Sequence, residues 1–567
     1  MEHKRMLQRE HFTVGTSGPA ALRDWYTNKD TGFSQEERDK LGIRGLLPPR
    51  INTLEEQGLR IRHQLDTKLT PIQKHIALFN LRQRNERLFY YFLLNNLRET
   101  LPLVYTPTVG EACQKFSHMF RRPEGLTITI EDKGRVADVV ANWPQPTDMP
   151  RIAVITDGSR ILGLGDLGWN GLGIALGKLS LYVAGAGIDP RSTLPIVVDL
   201  GTNTEEYLND PLYLGLPRRR ASHEEYLELL DEIMEALHKR YPSLIIQFED
   251  WSSDHAFEFL ERYQLKYPMF NDDIQGTGAV ILAGFINAAR ISANAANRDV
   301  ADQRILMVGA GSAAIGVAKQ LMWFFRHHGL SEEEAKKLIW TTDSRGLITN
   351  DRGDKLAHHK LYFARDDNEG QQFKNLEDIV DYVKPTAIVG LSTVAGTFTE
   401  GVIRKMAEYN TRPIIFPLSN PTSNSECTFE EALKYTDGRA IFAAGSPFAN
   451  VEFGGRTRFA DQGNNFYIFP GIGLAGALSK AKHITDEVIT AGAFALANSL
   501  TPVERSELRV YPKIERVREV SGEVAAACIR VINEQGLARD DGHSGSVPHE
   551  QLPQWVCDHM WVPSYDH

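Results

Sequence analysis

At 567 residues the chain is too long for one hydrophobic core, and about three or four domains are expected. With 42% apolar and 24% charged residues and a formal net charge of −10, it reads as a globular protein with no general affinity for nucleic acid or anionic lipid. The four cysteines, Cys113, Cys427, Cys528 and Cys557, show no CxxC spacing, which excludes a disulfide framework or thiolate zinc site and fits a reducing compartment.

No run of about 18 apolar residues is present, so no membrane partner is expected. The opening MEHKRMLQREHF lacks the apolar core of a secretory signal, and a cytoplasmic location follows as the expectation. Residues 1–124 read as a helical N-terminal domain. Ser34-Gln-Glu-Glu37 has the form of a capping box, and Pro48-Pro49 ends that helix. Apolar residues recur at helical spacing from Thr53 to Leu65 and from Pro71 to Leu101. Their number suits a buried face, either inside the monomer or between subunits. Tyr105 then leads into a Pro107 turn before a helix near Val109.

From about Leu126 strands and helices alternate, the texture of an α/β protein with a parallel sheet. Ile152–Thr156 is a predicted strand, and Asp157-Gly-Ser-Arg160 reads as a hairpin turn into Ile161-Leu162. A glycine-dense stretch, 163–177, feeds an apolar helix expected from Leu179, with Lys178 at its N-terminal end. That placement and apolar surroundings would lower the lysine pKa toward that of a general base; an ordinary surface lysine is the alternative. The Arg218-Arg219-Arg220 run reads as a solvated loop.

The most informative stretch is 244–278. An apolar strand ends on Glu249 and Asp250, a helix carries Phe257, Leu260 and Tyr263, and a second strand ends on Asn271, Asp272 and Asp273. A right-handed βαβ crossover makes the strands parallel, so four carboxylates converge on one rim of the sheet. Clustered hard oxygen donors without a nearby Cys or paired His favour Mg²⁺ or Mn²⁺ over zinc.

After Gly278 comes a helix over Ala279–Ile291, then a strand over Arg304–Val308. Gly309-Ala-Gly311-Ser312-Ala313-Ala314 follows at once. This is the GxGxxA form of the dinucleotide fingerprint between a strand and a helix, where backbone N–H groups meet a pyrophosphate. The next strand, Leu338–Thr342, ends at Asp343. Asp343 could hold the ribose hydroxyls of NAD, whereas Ser344, Arg345 and Lys360 could hold the 2′-phosphate of NADP; the sequence supports both. Later strands end in polar turns at Leu391–Gly396, at Ser419-Asn420-Pro421 and after Ala444. Gln462-Gly-Asn464-Asn465 precedes an expected aromatic strand, and the remainder is helical.

Tyr105-Thr-Pro-Thr-Val-Gly110, Gly163-Leu-Gly-Asp-Leu-Gly168, Gln247-Phe-Glu-Asp250, Phe270-Asn-Asp-Asp-Ile-Gln-Gly276, Ser419-Asn-Pro-Thr422 and Gln462-Gly-Asn-Asn465 together resemble the malic enzyme family over nearly the whole chain. The resemblance implies decarboxylating oxidation of L-malate to pyruvate and CO₂ with NAD or NADP and a divalent metal. It implies Glu249, Asp250 and Asp273 as metal ligands, Lys178 as general base and Tyr105 as general acid. Asp272 would orient Lys178, Arg160 would clamp a malate carboxylate, and Asn420, Asn464 and Asn465 would line the substrate or coenzyme. It also implies the organisation of the chain: a helical domain over 1–124, a central parallel-sheet domain over 125–276 completed by 461–537, an inserted Rossmann domain over 277–460 and a tail over 538–567. A homotetramer built as a dimer of dimers is expected. In some relatives two arginines and an acid bind fumarate; Arg60 and Arg84 match here, but Asn52 replaces the acid. Two alternatives stand beside this reading. One is a malolactic enzyme releasing lactate with bound NAD; the other is an inactive nucleotide-sensing protein.

Overall fold

The structure is a computed structural model and describes residues 17–144, 149–353, 355–539 and 542–565. The reading of the first twelve residues therefore lies outside the described residues. The chain divides into two compact units, Met1–Pro242 with His559–His567, and Ser243–Asp558.

The first unit begins with helices whose ends are written in side chains. Ser34 and Glu37 form the expected capping box. Thr53 and Glu56 cap α1 (Leu54–Asp66), and Thr70 and Gln73 cap α2 (Pro71–Arg82). The apolar run expected as one helix to Leu101 is broken into α2, α3 (Glu86–Asn95) and α4 (Leu97–Val104). Asn85 causes the first break: its side-chain oxygen accepts the Leu88 N–H and replaces an intrahelical bond. After α5 (Thr108–Gln114) come strands β1 (Leu126–Thr129), β2 (Ile152–Thr156) and β3 (Thr193–Asp199), parallel in the order β1-β3-β2.

Two expectations fail between β2 and β3. Ile161-Leu162 forms no strand, so the turn after β2 is not a hairpin. Helix α6 spans Leu172–Ala186, so Lys178 sits mid-helix rather than at its start. Much of the glycine-dense stretch is helical because its glycines serve close packing: a Cβ on Gly173 would stand 2.8 Å from the Cys113 sulfur. All fifteen residues of α6 are buried, as suits a helix hydrophobic on every side. The arginine run is also misjudged in part. Arg220 is half-buried and bonds Asp166 Oδ1 at 2.6 Å and the Asp157 carbonyl at 3.0 Å, tying down the glycine-rich loop. The C-terminal residues return to this unit, where the Tyr565 hydroxyl accepts a bond from Asn85 at 2.7 Å.

The second unit opens with the anticipated βαβ element: β4 (Ile245–Phe248), α7 (Ser253–Tyr263) and β5 (Met269–Asn271), with β4 and β5 parallel and Phe248 opposite Asn271. A five-residue π turn, Asp272–Gly276, leads into α8 (Thr277–Ala296). The span Asp272–Ala296 is long and apolar enough to cross a membrane, but 72% of its apolar window is buried within the fold, which makes it a core helix.

A seven-stranded sheet follows. Its strands are β6 (Ile305–Val308), β7 (Ile339–Asp343), β8 (Gly346–Leu347), β9 (Ala387–Gly390), β10 (Ile414–Pro417), β11 (Ile441–Ala444) and a short β14 (Asp461–Gln462), ordered β14-β11-β10-β9-β6-β7-β8. β12 (Val451–Phe453) and β13 (Arg456–Arg458) form a separate hairpin. Only β8 runs antiparallel in the large sheet. Leu306, Ile388, Ile415 and Phe442 from its central strands pack with Val380, Ile403 and Met406 from covering helices. Helix α9 (Ser312–His327) starts directly after the glycine fingerprint. The stretch 466–470 is not a strand: it forms a 3-10 turn and the start of a fully buried helix, Phe469–Ser479.

Candidate active site

In the first unit α6 carries Lys178 deep in the fold, with only 2% of its surface exposed. Its ammonium lies 5.3 Å from the centre of the Tyr105 ring, within cation–π range. Tyr105 terminates α4 and is itself buried. The two meet because α6 is small where it passes the α4–α5 turn: a Cβ on Gly177 would sit 3.5 Å from the Tyr105 ring. Thus a potential base and a potential acid share one sheltered corner. Arg160 is exposed in the turn after β2.

In the second unit β4 and β5 end side by side, and their acids meet. Oxygens of Glu249, Asp250 and Asp273 all lie within 4.8 Å of one another, with the first two residues buried. The Asp250 N–H donates to Asp273 Oδ2 at 2.6 Å, and Gln247 donates to Glu249 Oε2 at 2.7 Å. Asp250 has a positive φ of 56°, a conformation that Asp tolerates better than most residues and that turns the chain sharply after β4. Three carboxylates this close repel one another unless a cation joins them. The donor set, all hard oxygen, fits Mg²⁺ or Mn²⁺.

Asp272 faces differently from its neighbour. Asn465 Nδ2 donates to Asp272 Oδ2 at 3.1 Å, to the Asp272 carbonyl at 3.2 Å and to the Thr277 hydroxyl at 3.0 Å. Gly276 makes room for this carboxylate, since a Cβ there would overlap Asp272 Oδ1 at 1.8 Å. Asn465 is thereby placed as the holder of Asp272. Asn464 accepts the Phe466 N–H and caps the following turn. Asn420 accepts a bond from the Ser446 hydroxyl at 2.5 Å, beyond the carboxyl end of β10.

At the fingerprint Gly309 has φ +115°, and a Cβ there would stand 2.4 Å from the Leu391 carbonyl oxygen. A Cβ on Gly311 would meet nothing within 4 Å, which leaves open space before the N-terminus of α9 for a phosphate to approach the backbone. Ser312 and Ala313 form the first turn of that helix, and Ala314 is buried. Asp343 ends β7. Its carboxylate bonds Arg352 at 2.8 and 3.0 Å, Lys360 at 2.7 Å and the Arg345 N–H at 2.9 Å. Burial alone would raise its pKa, but the bonds from Arg352 and Lys360 prevail and hold it well below the usual carboxylate range. Ser344 and Arg345 are exposed on the next turn. Arg352 escaped the sequence reading; its signal was an arginine in the loop shortly after a strand-end acid. Far from these groups in sequence, Arg60 bonds the Asn52 side-chain oxygen at 3.0 Å, and Arg84 pairs with Asp30 at 3.3 Å.

The malic enzyme N-terminal domain model matches residues 82–264, and the malic enzyme NAD binding domain model matches residues 274–533. The chain is 48% identical over 546 residues to an NADP-dependent malic enzyme of Dictyostelium discoideum, across 96% of this chain and 98% of the relative. It is 46% identical over 552 residues to an NADP-dependent malic enzyme of Rattus norvegicus, across 97% and 94%. A chloroplastic NADP-dependent malic enzyme of Flaveria pringlei is 44% identical over 551 residues, across 97% and 83%. The fold is similar to the crystal structure of Entamoeba histolytica malic enzyme, with a TM-score of 0.53 and 21% identity over 90% of this chain and 92% of that one. Tyr105, Lys178, Glu249 and Asp250 fall inside the first matched domain and the dinucleotide fingerprint inside the second, and the identity extends along almost the whole length, so the chain belongs to the malic enzyme family, whose reaction is the oxidative decarboxylation of malate with a nicotinamide coenzyme.

Proposed function

We propose that this chain converts L-malate, CO₂-releasing and coenzyme-reducing, to pyruvate with NADP as its preferred coenzyme and Mg²⁺ or Mn²⁺ at Glu249, Asp250 and Asp273. The observation that carries the metal assignment is the mutual approach of those three carboxylates. Preference for NADP rests on Asp343. An ionised, unshielded carboxylate at the end of this strand suits ribose hydroxyls and repels a 2′-phosphate. Here Arg352 and Lys360 set two cations against its one charge, with Arg345 exposed beside them. The NADP-dependent relatives support the same reading.

In the proposed reaction Arg160 holds a malate carboxylate, and Asn420 and Asn464 orient substrate and nicotinamide. Lys178, buried in α6, removes the proton of the C2 hydroxyl as general base. The family resemblance supports Asp272, itself held by Asn465, as the residue that orients Lys178. Glu249, Asp250 and Asp273 would hold the divalent cation, which would supply Lewis-acid polarisation, and the turn at Gly309 and Gly311 would hold NADP, which would supply the hydride acceptor. Tyr105 delivers a proton to C3 after CO₂ departs, and its buried hydroxyl keeps that proton from bulk water. The family resemblance supports a homotetramer, which sedimentation velocity would check.

Initial rates with malate test the assignment. Pyruvate and NADPH should form in equal amounts, EDTA should abolish both and Mn²⁺ should restore them, with kcat/KM higher for NADP than for NAD. Lactate without net coenzyme reduction, or turnover indifferent to EDTA, would contradict it.

A further inference from the structure

A second site is suggested at the opposite edge of the Rossmann sheet. A cavity of about 580 Å³ is lined by Arg290, Arg412, Arg505 and Arg509, with Asn287 and Asn498 between them. No Asp or Glu lines it among the described residues, in a chain whose net charge is −10. Arg412 lies in the loop just before β10. Asn420 and the fingerprint glycines follow the other ends of β10 and β6, and these two strands and β9 between them are parallel. The cavity is therefore about one strand length from the coenzyme crevice, roughly 13 Å at the usual strand rise.

Among the described residues, Arg290, Arg412 and Arg505 have no carboxylate in ion-pair contact. Arg290 donates to the neutral oxygens of Asn287 at 3.2 Å and Asn498 at 2.9 Å. Arg505 donates to the Asn498 carbonyl at 3.3 Å. Arg412 has a buried Nη1 with no hydrogen-bond partner. Arg509 is offset by Asp461 at 2.9 Å. Burial and then the approach of Arg505 lower the Arg290 pKa; burial and then Arg458 and Arg439 lower that of Arg412. The charged neighbours of each are thus further arginines. The walls are also held in place: the Ser292 hydroxyl donates to the Arg412 carbonyl at 3.0 Å while accepting from Arg298 at 2.9 Å, and Asn287 donates to the Val510 carbonyl at 3.1 Å. Ile291 and Leu500 supply an apolar surface between the guanidinium groups.

We infer that this cleft binds a small organic polyanion, one carrying at least two phosphate or carboxylate groups on a partly apolar body. Planar guanidinium forks from three sides match such oxyanions, and each charge-assisted bond replaces a repulsive contact among the arginines. A cavity of this volume accommodates a metabolite-sized ligand.

Isothermal titration of the full chain, saturated with NADPH and in EDTA, isolates the cleft from the coenzyme crevice. Pyrophosphate and, separately, tricarballylate serve as probes. One pyrophosphate per chain is expected, with affinity reduced about tenfold or more in Arg505→Gln and in Arg290→Gln. The Arg505 side chain donates to a backbone carbonyl at 3.3 Å, at the long end of hydrogen-bond range, so its variant should fold and turn over malate like the parent. Tricarballylate binding that falls in the same variants would extend the site to polycarboxylates, and its absence would restrict the site to phosphates. No pyrophosphate binding to the parent, or equal affinity in the parent and both variants, would overturn the inference.

Discussion

Two strand ends in the second unit carry acids in the same topological position and give them opposite surroundings. After β4 and β5, Glu249, Asp250 and Asp273 bring carboxylate against carboxylate. After β7, Asp343 meets Arg352 and Lys360 instead. Both lie beyond the carboxyl ends of parallel strands, where open α/β folds bind ligands. Topology therefore offers the location, and in the proposed function the charge of the neighbours selects the occupant: a hard cation at the first, an anionic phosphate beside the second.

The largest effect is expected from breaking the acidic end. Asp273→Asn removes a charge from a three-carboxylate set, and kcat for malate should fall about 1,000-fold or more with the melting temperature nearly unchanged. A fall of less than tenfold would detach Asp273 from the chemistry. Next comes the support beneath that end. Asn465→Ala removes the Asn465 donor from Asp272 and should lower kcat about 10- to 100-fold, more than it raises KM for malate. An effect confined to KM would make Asn465 a substrate contact alone.

The cationic end is probed by Lys360→Gln. KM for NADP should rise about tenfold or more while that for NAD changes little, because one charge-assisted bond to a 2′-phosphate is lost. Equal changes for both coenzymes would remove Lys360 from discrimination. The smallest effect concerns pH. The folded Asp343 pKa lies below its unfolded value of about 3.9, so its ion pairs contribute stability above that pH and lose it as pH falls through the folded value. Asp343→Asn should therefore cost stability at neutral pH, with the gap to the parent closing in strong acid. A constant gap across denaturation curves at falling pH would place its cause elsewhere.

The comparison also explains what the sequence revealed. Alternating apolar strands and strand-end acids are local patterns, so β2 has the expected limits, β9 and β11 end where expected, and the βαβ element around Glu249 and Asp273 is as anticipated. The fingerprint was legible because glycine spacing and its two flanks are contiguous. Lys178 was misplaced because glycine normally argues against helix, whereas in α6 it permits contact with Cys113 and Tyr105 that only the tertiary fold defines. Phe466–Phe469 has strand-like composition, yet Pro470 sits in the first turn of a helix buried on all sides, where tertiary burial overrides local preference. Arg352 pairs with Asp343 across a loop, and no periodicity reports such a partner.

Mn²⁺ binding tests the central claim most directly, that crowded carboxylates at β4 and β5 hold a divalent cation. Electron paramagnetic resonance titration of the full chain should find one tight Mn²⁺ per chain in the parent, weakened at least 100-fold in Glu249→Gln and in Asp273→Asn and unchanged in Lys360→Gln. Tight Mn²⁺ binding that survives both acidic substitutions would contradict the account.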